Sequence, residues 1–340
     1  MCRAPVTQAG VVTTCIAFLA CGLISLGASA ALIVRLERLA ARVGASEAAL
    51  GLVAALAADG PEISSATAAL VHGRYDVGAG IVLGSNVFNL AVLLGLASVV
   101  AGRIWLHRSV VVFAGAVSMW FAVVGVAVML GLIGPLPGLA ALLVVFVPYV
   151  LVSAWPHRLE SRIRLPQAWR RWLRSAIRDE ERELLAAIRP RRGHWPDALV
   201  ALVAFVGMVG ASVVMEQSAT TLGDHFGISN LVVGAIVLAA VTSLPNAVAA
   251  LYLASHGRGS AVLSEALNSN NLNILFGLMV PAVILGLGPA TSGGALIGIW
   301  FLAMTGACLA AAYTTRGLRR PVGVCIVAAY VVFVAVLVGA

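Results

Sequence analysis

The sequence predicts an all-α integral membrane protein whose ten transmembrane helices form two inverted five-helix repeats. Three observations lead there: an apolar, charge-poor composition, ten apolar runs of spanning length, and a motif that recurs at a fixed offset of 184 residues.

Hydrophobic residues make up 61% of the 340 residues and charged residues 11%, whereas a soluble domain carries about a quarter of its residues charged. The mean hydropathy of +1.01 agrees, so most of the surface faces lipid. The net charge of +8 raises the question of nucleic acid, and its distribution answers it. The chain has no lysine, and 11 of its 22 arginines lie between Arg158 and Arg192, the rest falling near the ends of apolar runs. That pattern belongs to membrane topology and excludes a nucleic-acid partner. The cysteines, Cys2, Cys15, Cys21, Cys308 and Cys325, form no CxxC pair and read as small apolar side chains.

At 1.5 Å rise per residue a span needs about 20 apolar residues. Ten segments qualify: 10–34, 47–71, 77–101, 109–132, 135–155, 196–215, 229–254, 259–286, 291–312 and 321–340. The first is too long for a signal-peptide core and lacks a clear cleavage site, so it counts as a span. With the long central loop placed in the cytoplasm, the loops after the odd-numbered spans hold 20 arginines, among them Arg35, Arg38, Arg42 and Arg258. The other side keeps only Arg3 and Arg74. Positive charge collects on the inner face. The expectation is therefore a multi-pass cell-membrane protein with both termini extracytoplasmic and the lipid bilayer as its surroundings. Nothing in the sequence sets an oligomeric state.

Residues 1–155 form the first repeat and 196–340 the second, joined by a basic loop over 156–195. In that loop Trp169, Trp172, Leu173, Ala176 and Ile177 recur at helical spacing among arginines, which suggests an amphipathic helix on the inner leaflet. The acidic run Asp179, Glu180, Glu181 and Glu183 reads as a solvated helical face rather than as an ion site.

The motif regions, 51–95 and 234–279, register without a gap at the 184-residue shift. Pro61 meets Pro245; His72, Gly73 and Arg74 meet His256, Gly257 and Arg258; Ser85, Asn86 and Asn89 meet Ser269, Asn270 and Asn273. Five spans per half is an odd number, so the second half enters from the opposite side.

Three acidic residues, Asp59, Glu62 and Glu265, lie deep in apolar runs, with no arginine inside a span to neutralise them. A carboxylate at that depth costs roughly 2.5 to 3.5 kcal/mol on insertion scales, so a bound cation or proton is the natural partner. Asp59-Gly60-Pro61-Glu62 interrupts span 2, and Thr242-Ser243-Leu244-Pro245-Asn246 interrupts span 7. Proline frees backbone carbonyls there. Gly84-Ser85-Asn86 with Asn89, and Asn268-Ser269-Asn270-Asn271 with Asn273, add hard oxygen donors suited to Na⁺ or Ca²⁺. For a lone serine or asparagine, interhelical hydrogen bonding is the plainer reading; two matched clusters around carboxylates favour an ion site.

These residues resemble the calcium/cation antiporter superfamily, the sodium/calcium exchangers, whose two inverted repeats each carry a G-T-S-x-P-E-type motif followed by G-S-N-x-x-N/D. Gly84-Ser85-Asn86-Val87-Phe88-Asn89 matches the second motif, and Thr242-Ser243-Leu244-Pro245 most of the first. The resemblance implies that Glu62, Ser85 and Asn89 are ion ligands in the first half, and Thr242, Ser243, Ser269 and Asn273 in the second. It implies alternate binding of Ca²⁺ and Na⁺ while spans 1 and 6 slide past the other helices. The departures are Asn246 at the second-half glutamate, Ala58-Asp59 at the first Thr-Ser, Asn268 at the glycine before Ser269, and Ser264-Glu265 at the family's G-N. With Asp59 and Asn246 the expected ion site comprises nine residues, and Asp59 can restore the carboxylate that Asn246 removes. The function expected is a secondary cation antiporter exchanging Na⁺ or H⁺ for Ca²⁺ or another cation, with no cofactor. The competing expectation is a non-transporting scaffold or sensor with a degenerate site. No nucleophile–base constellation supports an enzyme.

Overall fold

The computed structural model describes residues 8–42, 55–154, 194–289 and 291–339. The expected loop helix around Trp169 and the acidic run at Asp179 lie outside the described residues, as does the start of the second expected span. Eleven helical segments follow one another: α1 (Gln8–Arg42), α2 (Gly60–Val71), α3 (Tyr75–Ala101), α4 (Arg108–Met129), α5 (Pro135–Ala154), α6 (Trp195–Phe226), α7 (Asn230–Thr242), α8 (Leu244–Ser255), α9 (Gly259–Leu285), α10 (Ser292–Thr314) and α11 (Arg320–Gly339). Seven of the described helices are long and apolar enough to cross a membrane; α7 and α8, bent by 49° at their break, make an eighth span if taken together. α2 is 12 residues long, and the apolar part of α5 runs over Pro135–Leu151.

Two boundaries differ from expectation. α1 has 35 residues and α6 has 32, so both extend well past the runs read as spans 1 and 6. Arg35 and Arg38, expected in a loop, sit on α1, where they lie 2.5 and 3.6 Å from Asp197 in the first turn of α6. The ion pairs hold two adjacent helix ends, a place where charge is tolerated.

Among the described residues the structure is overwhelmingly helical, with one small two-stranded ribbon that the sequence reading did not include. Strands β1 (Arg103–Trp105) and β2 (Gly317–Arg319) pair antiparallel with Arg103 opposite Arg319. The Arg103 guanidinium stacks over Trp105 at 3.3 Å. Gly317 has φ +136° and its Cβ position is taken by the Ile104 carbonyl, so only glycine fits. Three residues per strand are too few for alternation to show in the sequence.

α1 packs along α6, and with the turn 55–58 they share a small core of Leu32, Ala57, Ala201 and Met208. The larger core, with Leu83, Leu90, Phe121, Ile274 and Phe301, is built between α3, α4, α9 and α10. α3 meets α7 backbone to backbone: a side chain at Gly84 would overlap Ala235, and one at Gly234 would overlap Val77. Small residues permit such approach where water cannot drive packing.

The 184-residue offset recurs in helix ends and in dihedral angles. α2 and α8 start and end in register, α3 and α9 start in register, as do α4 and α10, and α1 and α6 end in register. Asp59 (φ −77°, ψ −5°) matches Ser243 (−80°, 0°), and Arg74 (−93°, 66°) matches Arg258 (−96°, 66°). Gly73 and Gly257, at φ 70° and 72°, make the same left-handed corner.

Candidate functional site

Both breaks arise from the same local chemistry. A proline in the first turn of α2 and of α8 lacks the N–H that would continue the preceding helix. The preceding turns, 55–58 and Ala239–Thr242, therefore stop at Asp59 and Ser243. Ser85–Asn89 and Ser269–Asn273 lie near the middle of the 27-residue helices α3 and α9. A wide, π-helical turn follows each cluster, at Leu90–Leu96 and Asn273–Met279. Such turns recur at functional sites and leave irregular carbonyls. A third covers Val233–Leu238 in α7.

The structure brings the two breaks and the two helix centres together. Asp59, Glu62, Ser85, Asn89, Thr242, Ser243, Asn246, Ser269 and Asn273 are all fully buried. Asp59 Oδ1 accepts from Asn246 Nδ2 at 2.7 Å and from Ser269 Oγ at 2.6 Å. Ser269 Oγ also accepts from Asn246 and Asn89, each at 3.0 Å. Ser243 Oγ donates to Glu62 Oε1 in a short contact. Asn86 and Asn270 donate to each other's carbonyl, each at 3.2 Å, as residues related by a two-fold axis do. Asn273 Nδ2 donates to Asn86 Oδ1 at 3.4 Å. Thr242 stands apart: its hydroxyl donates to Leu238 O at 2.9 Å within its own helix.

Six oxygens of this group have no hydrogen-bond partner among the described residues: Asp59 Oδ2, Glu62 Oε2, Ser85 Oγ, and Oδ1 of Asn89, Asn246 and Asn273. Buried acceptors are nearly always satisfied, and an unsatisfied one costs about 1–3 kcal/mol. Elsewhere among the described residues, Glu216 Oε2, Ser260 Oγ, Ser264 Oγ and Asn271 Oδ1 also lack a hydrogen-bond partner, but only here do such oxygens gather around two carboxylates. Among the described residues no three His, Cys, Asp or Glu side chains converge. A cation here would meet two carboxylates and neutral amide and hydroxyl oxygens. Glu265 lies four residues before Ser269 on α9, partly exposed and within electrostatic range of Asp59. An apolar cavity of about 600 Å³ between α1, α2 and α6 reaches Gly60, the residue after Asp59.

One buried acid escaped the sequence reading. Glu216 is fully buried on α6. Its Oε1 accepts from Arg74 Nη1 at 2.9 Å and from Thr220 Oγ1 at 3.2 Å, and Oε2 lies 3.6 Å from His72 Nδ1. His72, which the sequence placed in the repeat register, thus stands beside a largely buried Arg74–Glu216 ion pair. The signal was available: the left-handed stop that ends this helix comes only at Gly227.

Comparisons with known proteins give the family and the fold. The family model described as "Sodium/calcium exchanger protein" matches residues 13–155 and 197–339, two stretches whose starts are 184 residues apart. Inner membrane protein YrbG of Escherichia coli (strain K12) is 29% identical over 225 residues, which cover 66% of this chain and 65% of that protein. Among solved structures, native YfkE superposes with a TM-score of 0.64 at 15% identity, covering 98% of this chain and 92% of that one. The sodium-calcium exchanger NCX_Mj superposes with a TM-score of 0.61 at 20% identity, covering 95% and 97%. At these identities the structural matches speak for the fold.

Proposed function

Because the chain belongs to the sodium/calcium exchanger protein family, we propose that this multi-pass membrane protein is a secondary active cation antiporter. It exchanges Na⁺ or H⁺ for Ca²⁺ or another hard cation by alternating access. The single observation that carries the reading is the set of six partnerless oxygens gathered around Asp59 and Glu62. An empty protein holds them at a cost, and a dehydrated cation removes it. Asp59, Glu62, Ser85, Asn89, Ser243, Asn246, Ser269 and Asn273 are the proposed ligands and their supports. Thr242 remains in the proposed set: its hydroxyl donates its proton to Leu238 O, which leaves the oxygen lone pairs for a cation. The two halves act as five-span repeats of opposite orientation, with the site near the bilayer midplane and the termini extracytoplasmic.

The test is uptake into vesicles carrying the purified protein, with Ca²⁺ as cargo and Na⁺ or H⁺ gradients as driving force. Glu62→Gln is expected to abolish it, and normal transport by that variant contradicts the assignment. The scaffold or sensor reading draws on one observation, an amide at position 246 in place of an acid. It predicts that no gradient drives uptake and that no cation stabilises the protein.

A further inference from the structure

The hydrogen bonds across the centre form two pairs, and the internal offset exchanges them. Shifting by 184 residues carries Asp59 onto Ser243 and Glu62 onto Asn246. The pair Asp59–Asn246 is therefore the counterpart of the pair Ser243–Glu62, and both are hydrogen-bonded. Each consists of one carboxylate accepting from one neutral donor. In a symmetric centre both charges would sit at the fourth position of the motif, 62 and 246, or both at the first, 59 and 243. Here one pair has its charge at the fourth position, Glu62, and the other at the first, Asp59.

We infer that Asp59–Asn246 is a transposed charge pair, in which Asp59 supplies across the interface the second carboxylate of a site for one divalent cation or two monovalent ones. This rests on the antiporter reading and deepens it. Both charges then lie on one element, a single turn apart at the start of α2, and the second half contributes neutral oxygens.

The surrounding serines carry the imprint of this asymmetry. Ser269 Oγ donates to Asp59 and accepts from Asn246 and Asn89. Its counterpart Ser85, which by symmetry belongs to Ser243, has a buried hydroxyl with no partner. The serine that belongs to the charged break is bound and the one that belongs to the neutral break is free. The orphaned oxygens fall on both members of the transposed pair, Asp59 Oδ2 and Asn246 Oδ1. A cation between them would be held by a carboxylate from one half and an amide from the other. Two carboxylates balance the charge of one divalent cation or of two monovalent ones, so replacing one by the other leaves the buried site neutral.

The test moves the charge back. Ca²⁺ uptake into vesicles is measured under Na⁺ and H⁺ gradients, together with Ca²⁺-dependent thermal stabilisation of the purified protein. D59S leaves one carboxylate, and uptake and stabilisation are expected to be lost. D59S/N246E, which restores the symmetric arrangement, is expected to regain both. D59N/N246D exchanges the pair directly and carries the same expectation should D59S/N246E fail to give monodisperse protein. If D59S transports as the unmodified protein does, or if both folded double variants remain as inactive as D59S, the transposition is wrong while the antiporter reading stands. An unmodified protein that neither binds nor moves any tested cation overturns both.

Discussion

Among the described residues the fully buried carboxylates fall into two groups that are compensated in opposite ways. Glu216 is fully buried on α6, but Arg74 reaches it at 2.9 Å and His72 stands 3.6 Å away. Asp59 and Glu62 are equally buried, yet they meet only each other and neutral amides and hydroxyls, with no arginine or histidine among the described residues on either. A carboxylate with its own arginine is already balanced and ties two elements together, here α6 and the corner between α2 and α3. A carboxylate without one must take its balance from outside the chain. The contrast separates an ion pair that belongs to the protein from a site that waits for cargo.

The comparison can be broken at either end. The largest effect on stability is expected at the paired site. Arg74→Ala leaves Glu216 buried without its arginine, with only the Thr220 hydroxyl and the His72 ring nearby, and breaking a buried pair costs about 3–5 kcal/mol. Thermal denaturation in detergent reads it, and the cation-dependent shift of the surviving protein should be unchanged. At the unpaired site the order reverses. Glu62→Gln should leave the cation-free protein as stable or more so, while removing the stabilisation a ligand gives, about 2.7 kcal/mol at 100 times its Kd. If Arg74→Ala abolished the cation-dependent shift and Glu62→Gln did not, the roles of the two groups would be exchanged.

Smaller effects sharpen the contrast. Replacing Arg74 and Glu216 together by leucine should cost far less than Arg74→Ala alone, within about 1 kcal/mol of neutral, because no lone charge remains. A double-mutant cycle measures that coupling. Glu265→Gln is the mildest case. Glu265 is half-buried and makes no ion pair among the described residues, so removing its charge should leave the cation-free protein no less stable. Its charge lies within range of Asp59, and the expected loss is in the rate of cation capture at low ionic strength. Stopped-flow binding at two salt concentrations separates that from a loss of affinity.

The central group was legible in the sequence because its signals are chemical. Acids in an apolar run, prolines that break a helix, and a repeat in register each point at the same positions. The repeat was legible to its helix ends, since Gly60–Val71 and Leu244–Ser255 match end to end. Most of what escaped depends on geometry that composition does not encode; Glu216 escaped although Gly227 marked the true helix end. The π-helical turns change backbone hydrogen-bond register and leave no residue signature. The β1–β2 pairing joins residues more than 200 apart through three residues a side. Glu216 was hidden by its position: hydropathy ended the sixth span at Met215, and α6 runs on to Phe226. Its partner Arg74 was counted only as an exterior arginine.

The most direct measurement is the thermal stability of purified protein, unmodified and Glu62→Gln, against a panel of Na⁺, Ca²⁺, K⁺ and Mn²⁺. The account predicts a saturable rise in Tm with at least one of these cations for the unmodified protein, and no rise for the variant. A Tm indifferent to every cation, or one that rises equally in both proteins, would contradict it.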